Sequence, residues 1–471
     1  MTGIVSYGVY LPYWRLQRSA VTSALGAGGG KGTRSVASYD EDTTSMGVEA
    51  SRVALGLLPG VTPGSVWFAT TDPAYLDKTN ANGIHAALAL PSSVAAVDMI
   101  GGVRSGFGAG FAAYSSGGMA VIADRRSGLP GGSDESAGGD GAVALVFGSE
   151  GVVAEPIANA SATAEFTDRW RVPGESHSKI WEERFGEYAY LPLAEEAITA
   201  ALKAADLAAA DVDHVIVTGL HARAVGSARK AVGARPEALV DDLGAVIGNT
   251  GAAHWGVLLA DVLDRAEPNQ TILMAVLADG CDVVVWRTTE ALATHRAKPG
   301  YRTVRERIAE TNDALTYAQF LTWKGQLRRE PPRRPEPDRP AAPPSLRTNR
   351  WKYGFFGSVD EAGFVHLPPS RVSMESGAID SMTAKRMADV PATIATFTID
   401  RLAYSMSPPV VAVVIDFDGG GRMQAELTDV DPASVKIGDR VEMTFRRLYT
   451  QDGIHNYFWK ARPLGGGAER S

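Results

Sequence analysis

The stretch Ala95–Ala113, AAVDMIGGVRSGFGAGFAA, reads as a short apolar strand (Ala95–Met99), a tight turn through Gly101-Gly102-Val103-Arg104-Ser105-Gly106, and a helix of small residues. Such an elbow presents one side chain at a buried helix N-terminus, where free N–H groups and the helix dipole favour negative charge. A thiolate nucleophile placed there would have a lowered pKa. No cysteine is present in this stretch, and the same glycines also suit a helix packed closely on a sheet. Further along, His221 follows the strand Val212–Thr218, and Asn249 lies in the Gly-flanked segment Gly248-Asn249-Thr250-Gly251-Ala252-Ala253. A lone His is commonly structural, but a His and an Asn that converge on one point polarise a carbonyl and stabilise an enolate. Thr70-Thr71-Asp72-Pro73 leaves the C-terminal end of the strand Val66–Thr71, where open α/β sheets place their chemistry. The Gly-rich loop Gly26–Arg34 is not a phosphate cradle, because Lys31 is followed by Gly32 instead of Ser or Thr; it reads as a flexible surface loop.

The elements that must position these residues repeat. Ile4–Tyr10 is a first strand, and Asp42-Thr43-Thr44-Ser45 caps a helix over Met46–Leu58. Asn80–Leu88 reads as a helix, Met119–Ala123 and Ala142–Phe147 as strands, and Ser127–Gly139 as a polar loop. The rhythm then recurs: a helix over Tyr190–Ala205, with Pro192 tolerable in its first turn, the strand Val212–Thr218, a helix over Ala222–Val232, and strands at Thr271–Val276 and Asp282–Arg287. Two similar halves predict a pseudo-duplicated, layered α/β fold. From about Thr288 a charged helical linker, Lys298–Arg329, leads into Arg328–Pro344, RREPPRRPEPDRPAAPP, an extended connector with no means of building a core. Five short strands follow: Ala395–Leu402, Val410–Asp416, Arg422–Leu427, Arg440–Leu448 and Asn456–Lys460. Their turns and spacing fit a small all-β barrel of the OB type.

Composition narrows the function classes. The 471 residues are enough for two or three domains, and 45% hydrophobic with 21% charged is ordinary for a soluble globular chain. A net charge of -8 gives no reason to expect nucleic acid or an anionic membrane as partner. No apolar run has the length of a membrane span, and the first residues lack the pattern of a signal peptide. With Cys281 as the one cysteine, an intrachain disulfide and a cysteine zinc cluster are excluded. The expectation is a cytoplasmic enzyme or enzyme partner with no bound metal.

Residues 1–290 resemble the hydroxymethylglutaryl-CoA (HMG-CoA) synthases, the archaeal form especially, and more distantly the type III ketoacyl synthases of the thiolase superfamily. The resemblance is carried by SYDEDTTSMGVEA (Ser38–Ala50), TDRWRVPGE (Thr167–Glu175), ERFGEYAYL (Glu183–Leu191), GLHARAVGSARKAVG (Gly219–Gly233) and GNTGAAHWGVLLADVLD (Gly248–Asp264). It places His221 and Asn249 on the family's catalytic His and Asn, and Arg229 and Lys230 on the basic segment that meets CoA. The departures are as informative. The family's nucleophilic Cys position is occupied by Val103, with Ser105 two residues on. Its catalytic Glu position is Thr71, with Asp72 adjacent as a substitute acid or base. Residues from about Leu315 resemble the zinc-ribbon and OB-fold domain that accompanies thiolase-like enzymes, through YAQFLTWKGQL (Tyr317–Leu327), GFVHLPPSRVSM (Gly363–Met374) and VDPASVKIGDRVEMTF (Val430–Phe445). The four zinc cysteines of that ribbon are absent here.

The implied organisation is a thiolase-like domain over 1–290 with halves of about 1–165 and 166–290, a helical and Pro/Arg-rich linker over 291–350, a degenerate ribbon over 351–390 and an OB-fold over 391–466. The implied activity is carbon–carbon bond chemistry on a CoA thioester without an acyl-enzyme, with retro-aldol cleavage of a 3-hydroxyacyl-CoA as the nearest fit. The alternatives are an acyltransferase or synthase using Ser105 or direct transfer, and a non-catalytic acyl-CoA-binding partner of another thiolase. A homodimer through the thiolase-like domain is implied, with a second thiolase-like chain as a further partner.

Overall fold

The computed structural model describes residues 2–333, 335 and 337–465. The chain forms two compact units. The first comprises Met1–Ala37, Ala50–Asn82 and Ser92–Tyr317; the second comprises Ser38–Glu49, Gly83–Pro91 and Ala318–Ser471.

The first unit is built on one nine-stranded sheet. In chain order its strands are β1 (Gly3–Tyr10), β2 (Ser65–Thr70), β3 (Ala95–Ile100), β4 (Met119–Arg125), β5 (Asp140–Gly148), β6 (Ala154–Ala162), β7 (His214–Gly219), β8 (Thr271–Leu277) and β9 (Cys281–Thr288). Their order across the sheet is β7-β8-β9-β6-β1-β5-β4-β2-β3. The duplication is explicit in the pairing. β2 runs parallel to β4, β4 antiparallel to β5, and β5 antiparallel to β1. β7 runs parallel to β8, β8 antiparallel to β9, and β9 antiparallel to β6. The halves meet where Ile4 of β1 pairs with Ala154 of β6. The counterpart of β3 in the second half is a single parallel bridge between Val215 and Leu239.

Alternation along the strands sends successive side chains to opposite faces. Ile272, Met274 and Val276 of β8 join one apolar cluster, whereas Leu273, Ala275 and Leu277 join another. The first cluster holds two helices, α1 (Ser105–Ser116) and α4 (His254–Leu263); all ten residues of α4 are buried. The small residues of α1 let the helices meet. A Cβ on Gly106 would lie 2.5 Å from the Ala252 carbonyl oxygen, and one on Gly110 would lie 3.1 Å from the Trp255 ring. The second cluster is covered by α2 (Glu183–Ala205), with α3 (Ala222–Ala231) beside it.

Several sequence expectations need correction. The second half opens with β6, a strand not anticipated between Phe147 and Tyr190. Helix α2 begins at Glu183, so Pro192 lies inside it and not in the first turn. The lost hydrogen bond of an interior proline is tolerated because both sides of Pro192 are held by packing: Gly186 and Tyr190 on one, Ala194, Ala197 and Ala201 on the other. The expected loop Ser127–Gly139 contains a short helix, Ser133–Ala137. Gly26–Arg34 is not loop throughout: Thr33–Val36 is a strand, and Arg34 is fully buried with Nη1 donating to the Glu135 carbonyl at 2.5 Å and Nη2 to the Arg126 carbonyl at 2.8 Å. The charged helical linker over Lys298–Arg329 contains two short helices, Val304–Ala309 and Tyr317–Trp323, preceded by a third at Ala291–Arg296. Leu292 and Val304 pack into the first cluster. Pro343 and Pro344 are the last prolines of the connector and fall in a helix, Ala342–Arg347, whose first turn needs no proline N–H.

In the second unit a closed barrel has the order β10-β11-β12-β14-β13, with β10 (Ala392–Asp400), β11 (Val410–Phe417), β12 (Arg422–Leu427), β13 (Arg440–Gln451) and β14 (Ile454–Pro463). A three-stranded antiparallel sheet (Phe356–Val359, Val365–His366, Thr383–Arg386) precedes it. The acidic stretch Ser38–Glu49 belongs to this unit, where it lies against the barrel. Lys460 Nζ reaches Asp40 and Glu426 at 2.8 Å each, Arg446 Nη1 reaches Glu41 at 2.7 Å, and the Tyr457 hydroxyl donates to Asp42 at 2.6 Å.

Candidate active site

The ends of β2 and β7, the elbow after β3 and the turn between β8 and β9 border one cleft of about 510 Å³ in the first unit. Thr71 and Asp72 line it from β2, Gly101, Gly102 and Val103 from the elbow, His221 from β7, and Ala278 and Asp279 from the turn. Asp168, Arg169, Trp170, Arg171 and Glu175 add to its wall, with Tyr190 of α2.

His221 is the N-cap of α3, and its Nδ1 accepts the Ala224 N–H at 3.0 Å. A neutral ring held this way carries its proton on Nε2. Nε2 has no hydrogen-bond partner among the described residues and lies 4.0 Å from Asp168 Oδ1, which has none either. The two residues are 9% and 3% exposed. Burial raises the Asp168 carboxyl above its ordinary value, with His221 opposing. Buried polar atoms are nearly always paired, so two orphans on one cleft wall mark where a ligand's polar groups would be received. Room for the pair depends on Gly186 of α2. A Cβ there would lie 2.4 Å from the His221 ring and 2.5 Å from Asp168 Oδ1. Gly186→Ala favours the helix intrinsically but must displace the imidazole. Displacement by about 1 Å costs on the order of 10²-fold in rate. A folded protein with that loss in kcat/KM, read beside a thermal melt, is the expected outcome.

The elbow is tied down by Arg104, whose Nε and Nη2 take both oxygens of Asp282 at 2.7 and 2.9 Å, while Nη1 donates to the Asp279 carbonyl at 3.0 Å. The β2 exit is held by buried Asp124. Its Oδ1 accepts the Thr71 N–H at 2.6 Å and the Thr71 hydroxyl at 2.9 Å, and its Oδ2 accepts the Ala252 N–H at 2.8 Å. Arg126 Nη1 donates to the same Thr71 hydroxyl at 3.0 Å.

Of the residues singled out in the sequence, the structure brings His221, Asp72 and Val103 to the cleft. Asp72 is engaged there by Arg125 at 2.9 Å. Ser105 does not line the cleft; it is the first residue of α1, and its N–H bonds the Gly102 carbonyl. Asn249 does not line it either. Its Nδ2 donates to the Gly219 carbonyl and its Oδ1 accepts the Gly251 N–H, each at 2.9 Å, so the side chain ties the β7 exit to the loop before α4. Arg229 and Lys230 sit in the last turn of α3, where Arg229 Nη2 donates to the Val240 carbonyl at 2.9 Å and Lys230 is exposed. Cys281 opens β9, and burial pushes its thiol up to about 12, with Asp282 adding to the rise and Arg104 opposing it. That is the reverse of an activated thiolate. Iodoacetamide at neutral pH is expected to leave the native chain unlabelled and to add one equivalent after denaturation, read by intact mass.

Sequence reasoning did not single out Asp168, Asp124, Arg126 or Gly186. Asp168 and Gly186 fall inside the segments Thr167–Glu175 and Glu183–Leu191, and nothing local shows that both face His221. A faint signal existed for Asp124 and Arg126, since charges ending the apolar run Met119–Ala123 mark a strand exit. Among the described residues no group of three or more His, Cys, Asp or Glu side chains is arranged to hold a metal, and no helix is long and apolar enough to cross a membrane.

Known proteins match both units. Residues 202–286 match the 3-oxoacyl-[acyl-carrier-protein] synthase III C-terminal family, and residues 385–446 match the C-terminal OB-fold domain of ChsH2. The 3-oxoacyl-(acyl carrier protein) synthase III of Pseudomonas aeruginosa superposes with a TM-score of 0.54 at 17% identity, covering 61% of this chain and 98% of that one. An HMG-CoA synthase complexed with CoA superposes with a TM-score of 0.57 at 14% identity, covering 68% and 89%. The fold is therefore thiolase-like, followed by an OB-fold domain. In sequence, the hydroxymethylglutaryl-CoA synthase of Pyrobaculum aerophilum is 30% identical over 346 residues, covering 69% of this chain and 98% of its own length. With that extent of identity, and the shared architecture beneath it, the chain belongs to the hydroxymethylglutaryl-CoA synthase family.

Proposed function

We propose that the chain makes or breaks the carbon–carbon bond beside the carbonyl of a CoA thioester through an enolate, without an acyl-enzyme, and that its reaction is the aldol or retro-aldol interconversion of a 3-hydroxyacyl-CoA. The observation that carries this reading is Val103 at the elbow of the same cleft that holds the His221–Asp168 pair. Valine has no nucleophilic atom, so acyl transfer to that position has no chemistry available. What is retained is a donor for developing negative charge. His221 lines the cleft and its Nε2, 4.0 Å from Asp168 Oδ1, has no hydrogen-bond partner among the described residues; a hydrogen bond from it to the thioester oxygen strengthens as the enolate forms. The N-terminus of α1 behind Val103 adds positive potential. A cleft carboxylate supplies the proton transfer.

CoA itself is the carrier of the substrate and not a resident cofactor; Arg229 and Lys230 are proposed to meet its phosphates at the end of α3. The family favours a second reading, condensation as an acyltransferase or synthase, which would need direct transfer between thioesters or a nucleophile such as Ser105. The third reading is a non-catalytic acyl-CoA-binding partner of another thiolase. A homodimer through the first unit and a cytoplasmic location are part of the proposal. The test is incubation of the full chain with a panel of 3-hydroxyacyl-CoA and acyl-CoA esters, with products followed by mass spectrometry. Release of an aldehyde or ketone together with a shortened acyl-CoA is expected. Condensation of two thioesters would move the assignment to a synthase, and binding without turnover would move it to a partner protein.

A further inference from the structure

We infer that Asp279, in the turn between β8 and β9, is the general base of this site; the inference rests on the carbon–carbon reading above. Four carboxylates line the cleft. Asp72 is paired with Arg125 at 2.9 Å, Glu175 with Lys179 at 3.1 Å, and Asp168 lies against His221. Asp279 differs from all three. Its main chain is held on each side, the N–H donating to the Tyr190 hydroxyl at 3.2 Å and the carbonyl accepting from Arg104 at 3.0 Å. Among the described residues no donor reaches its carboxylate. A Cβ on Gly102 would lie 3.8 Å from Asp279 Oδ2, so the carboxylate faces the elbow at Gly102. The backbone there is left-handed, φ +47°, a conformation that non-glycine residues adopt sparingly and that is retained where the surrounding structure enforces it.

The charged and titratable groups around it are Arg104 from the elbow, Asp168, Arg169 and Glu165 from the segment after β6, and Tyr190 from α2. Desolvation raises the Asp279 carboxyl; Arg104 and Arg169 oppose, while Asp168 and Glu165 push further in the same direction. An unpaired carboxylate made more basic than usual suits proton abstraction. In the cleavage direction it removes the proton of the 3-hydroxyl. The oxygen lone pair forms the new C=O bond, the C2–C3 bond breaks, and its electrons pass to the thioester enolate, held by the His221 Nε2–H. The aldehyde or ketone leaves, and the Asp279 carboxyl returns the proton to C2, giving the shortened acyl-CoA and the starting carboxylate. In reverse, the same group takes a C2 proton from the acyl-CoA, so hydrogen at C2 exchanges with D₂O.

The test compares the full wild-type chain with Asp279→Asn, which tolerates the left-handed backbone, and with Asp279→Glu. Three quantities are read: cleavage of 3-hydroxyacyl-CoA, C2 exchange of acetyl-CoA and propionyl-CoA in D₂O, and acetyl-CoA binding by calorimetry. Asp279→Asn is expected to lose about 10²–10⁴-fold in both reactions with binding unchanged to within about threefold, and Asp279→Glu to recover part of the loss. The acid limb of the wild-type rate lies above the ordinary carboxylate range and is absent from the residual rate of the Asn variant. A folded Asn variant that keeps the wild-type rates, or one that loses binding as well, overturns the role of Asp279 and leaves the carbon–carbon reading in place. Wild-type exchange that disappears in the Asn variant, without cleavage of any 3-hydroxyacyl-CoA, upholds Asp279 and overturns the aldol reading. A wild-type chain that neither cleaves nor exchanges overturns both.

Discussion

Arg446→Met is expected to destabilise the second unit by about 3–5 kcal/mol, the usual loss when one partner of a buried ionic group is removed. Arg446 is fully buried on β13. Its guanidinium contacts Glu41 at 2.7 Å and Asp40 at 3.5 Å, pairs closely with Asp429, and donates through Nε to Thr444 at 3.2 Å. Lys460 is a second buried cation in the same cluster, reaching Asp40 and Glu426 at 2.8 Å each. Methionine keeps the volume but removes the Arg446 charge from beside Glu41 and Asp429, in surroundings where burial already raises the Asp429 carboxyl. Burial would also raise Asp40, yet Lys460 and Arg446 hold it at about 2. Its contribution to stability is therefore complete above the ordinary carboxylate range near 4 and is lost as pH falls from about 4 to about 2. Arg422→Met, which breaks an exposed pair with Asp416, is the control and should change stability by less than about 1 kcal/mol. Calorimetric melts of the three proteins at pH 7 decide the matter; equal effects of the two substitutions would mean that the buried cluster is not structural.

His221→Asn is expected to lower kcat/KM by about 10²–10⁴-fold while the fold is retained. Asparagine is a good N-cap, so the hydrogen bond from the Ala224 N–H to the cap is preserved and only the Nε2–H on the cleft is removed. His221→Ala removes both and should cost about a further 1 kcal/mol of stability. A rate loss shared by the two variants with a stability loss confined to alanine separates the chemical role of the ring from its role in capping α3. Comparable rates for His221→Asn and the wild type would place the donor to the thioester elsewhere.

The repeated strand–helix rhythm was legible because apolar runs such as Met119–Ala123 and Thr271–Val276 are continuous, as strands buried on both faces must be. β6 was not legible: Pro156 and alternating polar residues give it the pattern of a loop, and its place is fixed by pairing with β9 across the sheet. Arg34 and Pro192 were misplaced for the same reason in opposite senses. Local preference puts a charge among glycines on the surface and a proline at a helix start, and tertiary partners overrule both. At the site, His221 was visible as a polar residue at a strand exit. Its partner Asp168 and its neighbour Gly186 were not, because they come to it from the segment after β6 and from α2. Asn249 was visible as a residue type at a Gly-flanked turn, but the bonds to Gly219 and Gly251 that occupy its amide are long-range or backbone facts. The assignment of Ser38–Glu49 to the second unit likewise follows from its carboxylates meeting Arg446 and Lys460, some 400 positions away in the chain.

The intact mass of the full chain, measured during turnover of 3-hydroxyacyl-CoA and acyl-CoA esters, tests the absence of an acyl-enzyme most directly. A chain that releases a shortened acyl-CoA and a carbonyl compound while its mass stays unchanged is the result expected of Val103 at the elbow. An acyl group accumulating on the protein in proportion to the enzyme present, on Ser105 or any other residue, would contradict it.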